Sequence, residues 1–277
     1  MRRHTTWRAL GALALTATLV LSGCGDKKDD SAKGSDTSSG DTSAVGEDAG
    51  ADLTKDTFFT EVGKAQAKAG SSHVVMTTSL AGQDIKAEGD LLVGTTPEKT
   101  ALSMTMELGS QGSMELRLVE SVMYLNFGPV TQNKFAKVDL KDKSNPLSQQ
   151  YGSLVENFDP AAQADAYKDA VKSVTKKGDT QKIDGVETQP YVIVVDASKV
   201  AGASAGAAKL PDDLTLTMYL GEDNLPRKVD STITASGTTV KTSMLYSKWG
   251  EKVDVKAPPA SEITDKDPLA SLSGSAG

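Results

Sequence analysis

"LSMTMELGSQGSMELRL", residues 102–118, reads as a β-hairpin. Leu102, Met104, Met106 and Leu108 alternate with Ser103, Thr105 and Glu107, and after Gly109–Gly112 the residues Met114, Leu116 and Leu118 alternate with Glu115 and Arg117. A period of two gives a strand one apolar face and one wet face. The glycine-rich joint suits a hairpin turn. Directly opposed residues of a hairpin share a face. Met104, Met106, Met114, Leu116 and Leu118 are therefore expected to converge, as the candidate lining of an apolar cavity.

The same alternation runs outward in both directions. Upstream, Val74, Met76, Thr78 and Leu80 form one set and Ile85, Ala87, Gly89, Leu91 and Val93 another. Downstream, Val122–Phe127 and Phe135–Leu140 continue a meander. Strands return at Ser173–Gly178, Tyr191–Asp196, Leu214–Gly221, Pro226–Ala235 and Val240–Trp249. Helical spacing appears in three places. Thr54 stands as the cap of a helix carrying Phe58, Phe59, Val62 and Ala65 on one face and stopped by Gly70. Leu147, Tyr151, Leu154, Val155 and Phe158 share a second helical face, and Asp159-Pro160 reads as the start of a third helix through about Val171. A small-residue segment, Ser198–Lys209, interrupts the strands. The expected fold class is α+β: a strongly curved antiparallel sheet, an open half-barrel of about ten strands, with helices on its concave side.

The chain's ends are different in kind. Arg2, Arg3 and Arg8 precede an apolar run from Ala9 to Leu21. That run is shorter than the roughly 20 residues of a membrane-spanning helix, so it reads as a secretory signal. Leu21-Ser22-Gly23-Cys24 matches the bacterial lipobox, in which the cysteine thiol receives a diacylglycerol and becomes the new N-terminus. Cys24 is the only cysteine of the chain, so disulfides and a thiol nucleophile in the domain are excluded. Residues 25–52 are mostly Asp, Ser, Gly, Thr, Ala and Lys, with too little apolar area to offset chain entropy. They form a tether spanning about 30 Å root-mean-square. The expected organisation is a signal peptide at 1–23, the lipidated cysteine and tether at 24–53, a lipid-binding domain at 54–256 and a flexible tail at 257–277.

Composition limits function. Loss of the signal removes three positive charges and takes the formal net charge from −7 to −10. An acidic exported domain is a poor nucleic-acid ligand, and the lipid anchor, at roughly 0.8 kcal/mol per buried methylene, puts it on the membrane. His73 is the only histidine after the signal; it reads as a core or surface residue. No catalytic triad, zinc set or phosphate loop is visible, and no carboxylate pair stands out among the many. Asp29-Asp30 falls in the tether and Glu222-Asp223-Asn224 fits a plain turn. The chain is therefore expected to be no enzyme and to need no cofactor or metal. Seven methionines remain after the signal: Met76, Met104, Met106, Met114, Met123, Met218 and Met244. All fall on expected strands. Methionine is flexible and polarizable and adapts to irregular apolar shapes, which suits either a filled core or a face that holds alkyl chains.

The last third carries a recognisable series: "IDGVETQPYVIVVD" (183–196), "LPDDLTLTMYLGEDNLPRKVD" (210–230) and "YSKWGEKVDVKAPPASEI" (246–263). Its order resembles that of the LppX/LprG-type lipoproteins of actinobacteria, within the wider LolA/LolB-like fold. The resemblance implies a half-barrel with helices against its concave side and a cavity for the acyl chains of envelope lipids or lipoglycans, which some members carry between membrane layers. In it Asn224 and Pro226 shape a turn, Arg227 starts a strand and Trp249 packs near the domain edge; none is catalytic. The expected protein is a monomer on the outer face of the cell membrane that binds acyl chains and works with an envelope transport or export partner. The other reading is a scaffold or sensor of the same fold with a filled core.

Overall fold

A computed structural model describes residues 53–264 apart from 95, 110–111, 143, 145–147, 149–168, 200–210 and 236. Cys24, the tether, the two expected helices between 147 and 168, most of the 198–209 segment and the end of the tail lie outside the described residues.

The described residues open with a turn and helix α1, Phe58–Ala69. Phe58, Val62 and Gln66, spaced four apart, form its buried stripe. Gly70 ends it in the left-handed region at φ 75°, and its N–H bonds the carbonyl of Gln66. Thr54 is not the cap by side chain. Its carbonyl instead accepts the N–H groups of Thr57 and Phe58, so a turn precedes the helix.

Thirteen strands follow among the described residues. They are β1 Ser71–Leu80, β2 Gln83–Leu92, β3 Ala101–Glu107, β4 Ser113–Val119, β5 Val122–Asn126, β6 Phe135–Asp139 and β7 Val171–Lys176. Then come β8 Gln181–Ile183, β9 Val186–Asp196, β10 Asp213–Leu220, β11 Pro226–Ala235, β12 Thr238–Ser247 and β13 Ile263–Thr264. Val171, expected to close a helix, opens β7. The β8–β9 hairpin turns on Asp184 and Gly185, both with positive φ (47° and 81°). That is the primed turn favoured between twisted strands.

All strands join one sheet in the order β13-β6-β5-β4-β3-β2-β1-β12-β11-β10-β9-β7, with β8 beside β9. The central pairing is β1 with β12, which joins the N-terminal meander to the C-terminal one; Met76 faces Met244 and Val74 faces Tyr246. Every pairing is antiparallel except β13 with β6. The sheet is open, and it is larger and less curled than expected: thirteen strands, neither closed nor strongly rolled. Rolling a sheet needs bulges at its corners. Here the ladders from β12 through β1 to β6 keep register throughout, and shifts occur only at Tyr219/Leu220 and Val171/Ser173.

The C-terminal segment forms a strap. Ser71 Oγ donates to the carbonyl of Glu251, Arg117 reaches that of Lys256, Pro258 is buried, and Ile263 pairs with Phe135. The fold thus continues past the expected boundary at Lys256. The strap starts beside β12 and ends against β6, five strands beyond β1 in the sheet order.

Candidate functional site

One face of the sheet carries the apolar residues, and α1 packs on it. Phe58, Val62, Met76, Tyr191, Ile193, Met218, Val229, Met244 and Tyr246 belong to one buried cluster. Phe58 meets Tyr191 edge-on, with ring centroids 5.3 Å apart. Leu118, Met123, Leu125, Val138 and Leu140 form a second cluster on β4–β6.

Register reveals how the methionines are arranged. Tyr191 faces Met218, Met218 faces Val229, Val229 faces Met244, Met244 faces Met76, Met76 faces Ala87, Ala87 faces Met106, and Met106 faces Met114. Five of the seven methionines that follow the signal stand in one cross-strand row over eight adjacent strands. Residues facing one another across a ladder project to the same side. At strand spacing the row is about 34 Å long. Burial of its methionines falls along it: Met218 is 1% exposed, Met244 5%, Met76 8%, and Met106 and Met114 are half-buried.

The hairpin singled out in the sequence has the expected register. Leu102 faces Leu118, Met104 faces Leu116 and Met106 faces Met114. Met104 and Met106 pack against the first cluster, whereas Leu116 packs against the second, of which Leu118 is a buried member. This hairpin is the seam between the two cores. Met104, Met106, Met114 and Leu116 are half-buried there. The row itself was beyond sequence reasoning, because it depends on the β1–β12 pairing of residues some 170 positions apart in the chain.

Two other features position the face. Gly89 of β2 faces Met104, and a Cβ at Gly89 would lie 2.0 Å from the carbonyl oxygen of Ser103. Only glycine permits this approach of β3 to β2. At the β11–β12 end, Trp249 donates through Nε1 to the carbonyl of Pro226 at 3.0 Å and stacks on Tyr246 with centroids 5.8 Å apart. Two residues of the C-terminal pattern, Pro226 and Trp249, are thus tied to each other. The Tyr246 hydroxyl donates to Met244 Sδ at 3.5 Å, and burial pushes its pKa up.

The opposite face is mixed: Tyr124 and Phe135 are buried on it, with Arg117 over the Phe135 ring, and its β1–β2 part is polar. His73 Nδ1 lies 2.7 Å from Asp90 Oδ1 across β1–β2, on the side away from Val74 and Met76. Asp223 pairs with Arg227 at 2.6 Å and accepts the N–H of Leu225, and Asn224 is left-handed at φ 58°. These contacts make 222–224 a hairpin turn. Among the described residues no three His, Cys, Asp or Glu side chains gather as a metal site, and no helix is long and apolar enough to cross a membrane.

No family model and no curated protein matches the sequence. Solved structures do match. The lipoprotein LppX of Mycobacterium tuberculosis superposes with a TM-score of 0.47 and 16% identity, over 71% of this chain and 96% of that one. LprF of Mycobacterium bovis gives 0.44 and 18%, over 70% and 92%. The chain is similar to the LppX and LprF lipoproteins. A further match is the MucA/MucB complex of Pseudomonas aeruginosa, with a TM-score of 0.36 and 13% identity, over 66% of this chain and 53% of that one.

Proposed function

We propose that the protein is an extracytoplasmic lipoprotein, held through Cys24 on the outer face of the cell membrane, that binds and carries acylated envelope lipids or lipoglycans against the α1 face of its sheet. The observation that carries this reading is the methionine row. One end is close-packed under α1, and the other end stays half-buried at Met106 and Met114, beside the half-buried pair Met104 and Leu116. Ligand sites are mostly apolar and largely pre-formed. Thioether side chains with three rotatable bonds adapt to alkyl chains of varied length.

The test is native mass spectrometry of the chain from Ala51 onward, purified from its secreted form. A mass excess that organic extraction removes, and recovery of binding with a fluorescent fatty acid, is the expected result. Absence of both an adduct and fatty-acid uptake would overturn the carrier reading and favour a scaffold or sensor with a filled core.

A further inference from the structure

The half-buried end of the methionine row has a chemistry that alkyl packing does not require. Methionine is not among the residues that strands favour; valine, isoleucine and the aromatics are. Yet Met104, Met106 and Met114 occupy three neighbouring positions on one face of a single hairpin. Met106 and Met114 are directly opposed, which places their Cβ atoms about 4.5–5.5 Å apart. Met104 lies two residues from Met106 on the same strand and face, about 7 Å along it. Each sulfur sits at the end of a flexible arm of three rotatable bonds. Three such arms rooted this closely can bring their sulfurs to one point.

The surroundings select the kind of guest. The cross-strand neighbours on this face are Ala87, Gly89, Leu102, Leu116 and Leu118. None offers a hard oxygen or nitrogen ligand from its side chain. Glu107, Glu115 and Arg117 alternate to the other face. A thioether-only site in apolar surroundings is a poor host for calcium, magnesium or zinc and a good one for a soft monovalent ion. The other end of the row offers no equal opportunity, because Met218 and Met244 are buried in the packed core.

We propose that Met104, Met106 and Met114 form a thioether site for a soft monovalent cation, Cu(I) or its redox-inert analogue Ag(I). The site does not rest on lipid carriage, although a bound acyl chain and the ion would compete for the same hairpin. No redox step is involved; the ion binds in the state in which it arrives.

The experiment uses the full mature chain carrying Cys24→Ser, which removes the only thiol, after detergent exchange that mass spectrometry shows to leave no amphiphile bound. Ag(I) is titrated by calorimetry, with methyl-labelled methionine followed by NMR. One equivalent should bind, shifting the Met104, Met106 and Met114 methyl signals and leaving those of Met218 and Met244 in place. Leucine is the volume-conserving replacement for methionine, so leucine variants should fold. Loss of an outer-shell partner alone typically lowers metal affinity 10–100-fold. Met106→Leu, which removes a direct ligand, should lower it about 100-fold or more, and the triple leucine variant should abolish binding. Met218→Leu should leave it unchanged. Failure of the parent chain to bind Ag(I), or undiminished binding by a folded triple variant, would overturn the site. Fatty-acid uptake by the parent chain in the absence of Ag(I) reports separately on the lipid reading.

Discussion

Replacing Gly89 by alanine should be among the most damaging single-methyl additions in this protein. The added Cβ would sit 2.0 Å from the Ser103 carbonyl oxygen, 2.7 Å from Met104 Cα and 2.9 Å from the Ser103 carbonyl carbon. All three obstacles are backbone, so no rotamer change relieves them. Even a favourable carbon–oxygen contact lies at about 3.3–3.6 Å, so β3 must retreat by more than about 1 Å. Ladder bonds near 2.9 Å then stretch well past the useful range. Each lost bond costs about 1 kcal/mol, and overpacking of this kind typically costs 1–3 kcal/mol. The expected destabilisation is therefore about 2–4 kcal/mol, a large share of the 5–15 kcal/mol that holds a typical domain. Gly82→Ala is the reference. Gly82 has φ 80° with open space around its Cβ position, so its cost is the left-handed penalty alone, about 1–2 kcal/mol. Urea unfolding of both variants in the Cys24→Ser chain measures the difference. A Gly89→Ala variant within about 0.5 kcal/mol of the parent, the scale of an ordinary surface substitution, would refute the close approach of β2 and β3.

Three further outcomes are expected. Cys24→Ser should release the protein from membranes with its circular dichroism unchanged; retention after an alkaline wash would contradict the anchor. Met106→Trp and Leu116→Trp should reduce fatty-acid uptake with little loss of stability if ligand fills the hairpin face, whereas a packed core should lose about 1–3 kcal/mol with uptake unaltered. Burial raises the Tyr246 pKa above its ordinary 10.0, so the protonated phenol is favoured in the fold. Its contribution is complete below pH 10 and is lost as pH rises beyond that, by up to about 1.4 kcal/mol per pH unit. Urea unfolding between pH 9 and 11 should show that slope in the parent and a shallower one in Tyr246→Phe.

Local pattern made most of the strands legible. Pro226–Ala235 agrees with β11 at both ends, and Leu102–Leu118 folds as the hairpin its alternation predicts. α1 was legible through Phe58, Val62 and the stop at Gly70. β8 and β13 were not, because three and two residues are too few to show a period. The Asp184-Gly185 turn was the available signal for β8. Sheet order was hidden for a different reason. Neighbouring hairpins are fixed by short loops, but the β1–β12 pairing closes a loop through most of the domain, and nothing in either strand names its partner. The candidate lining residues could be placed on one face from the sequence; their position at the seam between two cores could not, because it depends on that pairing and on where α1 lies.

The strap has a practical consequence for anyone who shortens this chain. β13 contributes only Ile263 and Thr264, but those two residues occupy the outer side of β6. Cutting at Lys256, where composition alone ends the domain, would bare that side. Phe135 and Ala136, now 3% and 1% exposed, would then lie on an open strand margin with backbone donors and acceptors free to recruit another molecule. Such a fragment should show concentration-dependent self-association in sedimentation, and a fragment ending after Thr264 should not. The final short strand thus guards solubility as much as it adds to the fold.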